Sequence, residues 1–203
     1  MSRIIFDVDT QNDLCYKKNT ANPKALGNIR EVLIHALRNE IVIIGSVIAH
    51  DHKLYGYCTI GTEGQEKLNE TMLVEPEFYY NVANTRNGID LNVAEECWQI
   101  VFEKQNENIW DPLMGQPDNV QSFLRHENID TVYVIGNNFH DGIVETIQGL
   151  IERKYNVRIV HDAISWNILD ETAKYLAENV KGLLSATCIS TEQFIAEIGD
   201  HND

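Results

Sequence analysis

Short apolar runs alternate along the chain with amphipathic stretches, the rhythm of βαβ units around a parallel sheet. Arg3–Val8 predicts a first strand and Ala25–Arg38 a helix. Glu40–Ala49 (EIVIIGSVIA) is a nearly continuous apolar run, as expected of a strand buried on both faces. Ile100–Glu103 is a shorter strand, Asn119–His126 a helix, and Thr131–Ile135 (TVYVI) a further strand. Ile143, Ile147, Leu150 and Ile151 mark one face of a helix over Asp141–Lys154. Val157–Val160 reads as a strand, Glu171–Leu184 as a helix and Ala186–Ile189 as a short last strand. Thr191–Ile198 closes the pattern as a helix capped by Thr191 or Ser190. Lys53–Ala94 breaks the rhythm: rich in Gly, Asn, Tyr and Glu, it predicts a long excursion, reaching to about residue 99, of the kind that forms lids or binding loops.

Composition narrows the class. The 203 residues fit a single domain, 1–203, large enough to bury a sizeable core. With 16 basic against 31 acidic residues the formal net charge is −15, a surface that repels nucleic acid and anionic membranes. A small anion can still bind where a pocket's local field differs from the average. No run approaches the ~20 apolar residues of a membrane span. Asp7 and Asp9 follow Ile4-Ile5-Phe6 at once, which leaves no signal-peptide core. Cys15, Cys58, Cys97 and Cys188 are widely spaced without a CxxC pair, the pattern of free thiols in a cytoplasmic protein.

In open parallel sheets ligands sit beyond the carboxyl ends of the strands, where strand order reverses. Four polar clusters occupy such places: Asp9-Thr10-Gln11-Asn12-Asp13, His50-Asp51-His52, Lys104, and Gly136-Asn137-Asn138-Phe139-His140-Asp141-Gly142. Asp9 and Lys104 are the first candidates for chemistry.

These clusters also carry a resemblance. FDVDTQNDLC resembles the D-x-Q-N-D opening of the isochorismatase-like hydrolases, the superfamily of nicotinamidases, N-carbamoyl amidases and isochorismatases. YCTIGTEGQEKL is similar to its H-C-x-x-G-T-x-G-x-x-L segment, FEK supplies its lysine, and VIGNNFHDGIVETI with VRIVHDA resembles its later helix start and strand end. The matches fall in family order from Arg3 to about Ile195. The resemblance implies a three-layer α/β/α, doubly wound, mostly parallel six-stranded sheet. It also implies a small-molecule substrate and a homo-oligomer, dimer or tetramer.

The family's catalytic trio is an aspartate, a lysine and a nucleophilic cysteine. By resemblance Asp9 and Lys104 take the first two roles, and Gly142 stands at the cysteine's position. Without a thiol the acyl-enzyme route is closed. Cys15 is the nearest substitute in the chain, and its plain reading is a small buried residue. The isochorismatase branch also carries glycine there, preceded two residues earlier by histidine, and His140-Asp141-Gly142 reproduces that pattern. That branch cleaves a vinyl ether with a general acid and no nucleophilic side chain. Asp9 would be the acid, its pKa raised by partial burial, with Lys104 steering its protonation and binding a substrate carboxylate. The branch's Gln-Pro and Arg-rich segment is absent after strand two, which points the substrate away from isochorismate itself.

Gln11, Asn137, Asn138, His140 and Trp110 complete the set of candidate substrate contacts. The family has a cis peptide near Gly136-Asn137-Asn138, a geometry that would aim the N–H groups of Asn138 and Gly142 at an anion. No cofactor is required by this chemistry. Nicotinamidases bind a divalent metal at the corresponding place, and by that resemblance the aligned trio is His50, His52 and Tyr57. His50 and His52, alternate residues in extended chain, could share a Zn, Mn or Fe ion, with Tyr57 a poor third ligand and His140 or Asp9 the alternative. Two other functions fit the same residues: an inactive family member acting as a ligand-binding or partner subunit, and a metal-dependent, amidase-like hydrolase.

Overall fold

The structure, a computed structural model, describes residues 2–17, 22–51, 55–83, 88–106, 108–111, 118–137, 142–165 and 186–199. Seven strands form its sheet: β1 (Ser2–Val8), β2 (Ile43–Ile48), β3 (Tyr79–Val82), β4 (Gln99–Lys104), β5 (Ile129–Asn137), β6 (Asn156–Ser165) and β7 (Ala186–Ile189). Their order is β3-β4-β2-β1-β5-β6-β7, and every neighbouring pair is parallel. The chain winds outward from β1 in both directions. Strand order therefore reverses at β1 and opens a crevice beyond its carboxyl end.

Helices cover both faces, which is why buried apolar residues dominate β1, β2 and β5. On one face Phe6, Val8, Ile44, Phe102 and Val134 pack against Phe123 of α3 (Asn119–His126) and Ile147 and Leu150 of α4 (Val144–Glu152). Ala94 of the short α2 (Leu91–Glu95) joins this layer. On the other face Ile5, Ile43, Tyr133 and Val160 meet Ile29 and Leu33 of α1 (Pro23–Arg38) and Phe194 of α5 (Thr191–Ile198). No helix among the described residues is long and apolar enough to cross a membrane.

Local chemistry sets the boundaries. The Asn22 side chain accepts hydrogen bonds from the Lys24 and Ala25 N–H groups, and Pro23 starts α1 with the φ a helix needs. Ser190 caps α5 in a reciprocal capping box with Gln193. β5 runs two residues beyond its expected end, because Gly136 and Asn137 pair with Ile164 and Ser165 of β6. Gly136 has φ +139°, and a Cβ there would lie 2.2 Å from the Val8 carbonyl oxygen. Only glycine allows β5 to press so closely on β1.

Six strands are expected and seven are found. The seventh, β3, lies inside the predicted excursion and extends the sheet beyond β4. Its four residues turn Tyr80 and Val82 to the core and leave Asn81 exposed, too short an alternation to stand out among turn-forming neighbours. The remainder of the excursion is tied to strand ends by buried amides. Gln99 on β4, for example, donates from Nε2 to the Thr71 carbonyl (2.7 Å) and accepts from the Leu73 N–H (3.4 Å). The predicted helix Glu171–Leu184 lies outside the described residues.

Candidate functional site

Asp9 follows β1 with φ +55°, a left-handed conformation that a residue with a side chain adopts at a cost and that clusters at functional sites. Its carboxylate is fully buried. Oδ1 accepts a hydrogen bond from the Ser46 hydroxyl (2.7 Å), and Oδ2 is paired with the Lys104 ammonium (2.8 Å). Lys104 is the last residue of β4 and is 4% exposed. Ser46, Phe102 and Lys104 share one face of the sheet by strand alternation, so β2 and β4 aim polar groups at the end of β1.

Gly142 completes this cluster. A Cβ at residue 142 would lie 2.2 Å from Asp9 Oδ2 and 3.3 Å from Lys104 Nζ. The Asp9 carboxylate thus fills the volume where any side chain at that position would begin. The structure brings together Asp9, Lys104 and Gly142, three residues separated by as many as 133 positions.

The other expected contacts divide. Gln11 is spent on the backbone: its Nε2 donates to the Ile48 and Gln65 carbonyls (2.9 and 2.7 Å), while Oε1 accepts from the Ile48 N–H (2.7 Å). It therefore joins β2 to the excursion instead of offering its amide to a substrate. Asp13 extends the seam by accepting from the Cys58 N–H (2.7 Å), and Gly64 is small because the Asp13 carboxylate occupies its Cβ position. Trp110 also makes contacts within the protein. Its indole lies against α4, with Nε1 donating to the Thr146 carbonyl (3.3 Å) and the Arg153 guanidinium 4.2 Å from the ring centre. A side chain at Gly149 would strike the ring, so the glycine lets Trp110 pack against α4. Asn137 ends β5 fully buried. Asn138, His140 and His52 lie outside the described residues, and every peptide bond among the described residues is trans.

His50 is buried beneath aromatic rings, stacked on Tyr55 with centroids 4.2 Å apart and meeting Tyr57 edge-on at 5.0 Å. Tyr57, the counterpart of the family's third metal ligand, thus contacts His50 through its ring. Among the described residues the His/carboxylate group close enough to share an ion is Glu95, His126 and Glu127, an exposed cluster around the His126–Glu95 ion pair.

A second buried ion pair was not foreseen. Asp7 on β1 meets the Lys67 ammonium at 2.7 Å, with both side chains almost fully shielded. Thr10 Oγ1 donates to Asp7 (2.9 Å) and accepts from Lys67 Nζ (2.7 Å). Asp7 and Asp9 are two residues apart, yet the first pair lies on the α1 face and the second on the α3–α4 face. Gly45, in register with Asp7, leaves room for Lys67. A carboxylate within a central strand demands a buried partner, and that demand was the available signal for Asp7. The signal for Ser46 was a lone hydroxyl in an apolar strand.

The thiols stand apart from this chemistry. Cys15 is fully buried, and burial, reinforced by the Asp7 charge, pushes its pKa up to about 12. Cys188 lies on the edge strand β7 and is exposed. Iodoacetamide at pH 8 is expected to label Cys188 and spare Cys15 in the folded protein. Peptide mapping after a brief pulse checks this, and rapid Cys15 labelling would contradict the buried thiol.

The isochorismatase domain model matches residues 3–193 of the chain. No curated protein matches the sequence. Among solved structures, N-carbamoylsarcosine amidase from Thermoplasma acidophilum is 19% identical with a TM-score of 0.68, the alignment covering 95% of this chain and 98% of that one. An isochorismatase family protein from Desulfovibrio vulgaris gives 17% identity, a TM-score of 0.70 and coverage of 97% and 98%. Nicotinamidase from Bacillus subtilis gives 14% identity, a TM-score of 0.68 and coverage of 94% and 100%. At these identities the likeness is one of fold.

Proposed function

Because the chain belongs to the isochorismatase domain family, we propose that it hydrolyses a small anionic metabolite without a cysteine nucleophile. Asp9 is the general acid and Lys104 its partner. The observation that carries this reading is the space at Gly142, which the Asp9 carboxylate fills. Amide hydrolysis through a thiol, as the names of two structural neighbours would suggest, has no nucleophile at this position. An enol ether needs none. A proton from Asp9 goes to the enol-ether carbon, water adds to the resulting oxocarbenium ion, and the hemiketal collapses to a carbonyl compound and an alcohol. Lys104 holds the Asp9 carboxylate in the free protein. A substrate carboxylate that takes over the ammonium releases Asp9, which then takes a proton from water for transfer to the enol-ether carbon. The proton lost by the adding water restores the acid.

Turnover of a panel of enol-ether carboxylates, with nicotinamide and N-carbamoyl amides as controls, tests the proposal. Asp9→Asn and Lys104→Ala are each expected to lower the rate on the active substrate by roughly 100-fold or more. Alkylation of accessible thiols is expected to leave it intact. Loss of activity on alkylation would reject the cysteine-free mechanism.

One observation favours a second reading, a binding subunit without turnover: Asp9 and Lys104 are buried and satisfy each other. Saturable binding of a panel compound with no product after prolonged incubation would support it.

A further inference from the structure

We propose that the protein has a second ligand site, at the amino end of the sheet, that takes a small polyhydroxylated carboxylate, a sugar acid in chemical class. It is independent of the hydrolytic reading.

A cavity of about 560 Å³ opens where α3 and α4 end and β5 and β6 begin. That volume is in the range of small-molecule sites. Asp9 lies at the other end of the strands. Seven residue steps along β5 separate Ile129, which lines the cavity, from Gly136, which pairs with Val8. At about 3.3 Å per residue the two sites stand roughly 23 Å apart.

The lining is basic in a chain whose formal charge is −15. Arg125, Arg153 and Lys154 line the cavity with one acid, Asp130. Arg153 is fixed by its neighbours: it donates to the Gly149 carbonyl (3.2 Å), lies 3.4 Å from the Asp118 carboxylate and sits over the Trp110 ring. Its charge is shared with Asp118, so the charge open to a ligand is that of Arg125 and Lys154. Among the described residues neither has a carboxylate within ion-pair distance. The helical neighbours three and four positions before Arg125 are Ser122 and Gln121, both neutral. A carboxylate between Arg125 and Lys154 gains charge-assisted hydrogen bonds. Lys154 also follows α4 with φ +67°, at a turn where glycine is the usual residue. The chain accepts a less favourable backbone there and sets a cation at the cavity.

The remaining polar groups call for hydroxyls. Asn156 Nδ2 donates to Thr131 Oγ1 (3.2 Å), which donates to Asp130 Oδ1 (2.8 Å). That relay orients the Asp130 carboxylate, which has capacity for further donors. The Tyr155 hydroxyl accepts from Gln121 Nε2 (2.8 Å), which leaves its proton to donate. A hydroxyl can give a proton to Asp130 and accept one from Tyr155, and an alkyl chain can do neither.

The test is a titration of the full chain with sodium D-gluconate at constant ionic strength, followed by amide-proton NMR. Sorbitol is the neutral counterpart, and hexanoate the anion without hydroxyls. Gluconate is expected to shift the resonances of Ile129, Asp130, Tyr155 and Asn156 saturably, and both controls to bind about 10-fold more weakly or less. Lys154→Gly places the favoured residue in the left-handed turn, so the fold is retained while gluconate affinity falls by about 10-fold. Arg125→Gln is expected to act in the same direction. The proposal is overturned if sorbitol or hexanoate binds as well as gluconate, if Lys154→Gly retains full affinity, or if gluconate gives no saturable shift at these residues.

Discussion

Replacing Gly142 by alanine is expected to unseat Asp9 and to destabilise the fold by about 3 kcal/mol or more. The new methyl group would start 2.2 Å from the Asp9 carboxylate oxygen, inside any van der Waals contact. Either the start of α4 backs away or the carboxylate leaves Lys104. Overpacking of this kind costs about 1–3 kcal/mol, and separating a buried ion pair costs about 3–5 kcal/mol. In a chain of this size that is a drop in Tm of roughly 6–12 °C. Gly142→Cys, which restores the family nucleophile, meets the same obstacle and is not expected to create a thiol amidase. A double-mutant cycle identifies the cause. If the carboxylate is what the side chain strikes, Asp9→Ala recovers stability in the Gly142→Cys background although it is destabilising alone. Urea midpoints for the four proteins give the coupling. Additive effects would mean that Gly142 is small for some reason other than Asp9.

Lys67→Met is the second large effect. It removes the cation from a carboxylate with no exposure to water, leaving Asp7 only the Thr10 hydroxyl among the partners described above. Loss of one member of such a pair is expected to cost about 3–5 kcal/mol. Replacing Asp7 by leucine in the same protein is expected to recover much of the loss, because two apolar side chains do not leave an unpaired charge in the core. Equilibrium unfolding in urea measures both. A loss below about 1 kcal/mol for Lys67→Met would show that water reaches Asp7. The variant also bears on the site next door, since Lys67 holds Thr10, and Thr10 follows the left-handed Asp9.

Where the pattern was regular, the sequence was readable. α3, β7 and α5 begin and end where predicted, each helix preceded by a side chain that caps it. Asp9, Lys104 and Gly142 were legible because parallel strands deliver residues to their carboxyl ends wherever the intervening chain wanders. What stayed hidden depends on pairing across the sheet. Hydrophobic periodicity says that Asp7 faces inward but not that Lys67, sixty residues later in an irregular segment, will meet it. The protein partners of Gln11 and Trp110 stayed hidden for a related reason. A polar or aromatic residue near a strand end can serve substrate or scaffold, and only its neighbours decide which.

The position of β1 has a consequence for the birth of the chain. Of the seven strands the central one precedes the other six in sequence, and its two partners are β2, at residues 43–48, and β5, at residues 129–137. During synthesis β1 can pair on one side early, but its other edge has no partner until most of the protein has emerged. A pairing of such large sequence separation is slow to form and leaves an apolar strand edge open meanwhile. Truncated chains ending before residue 129 are therefore expected to be sticky rather than partly active. Closure of β5 onto β1 is also the step that packs Gly136 against Val8 and carries the chain on to Gly142 beside Asp9. The Asp9–Lys104–Gly142 cluster and the β1–β5 seam are completed together.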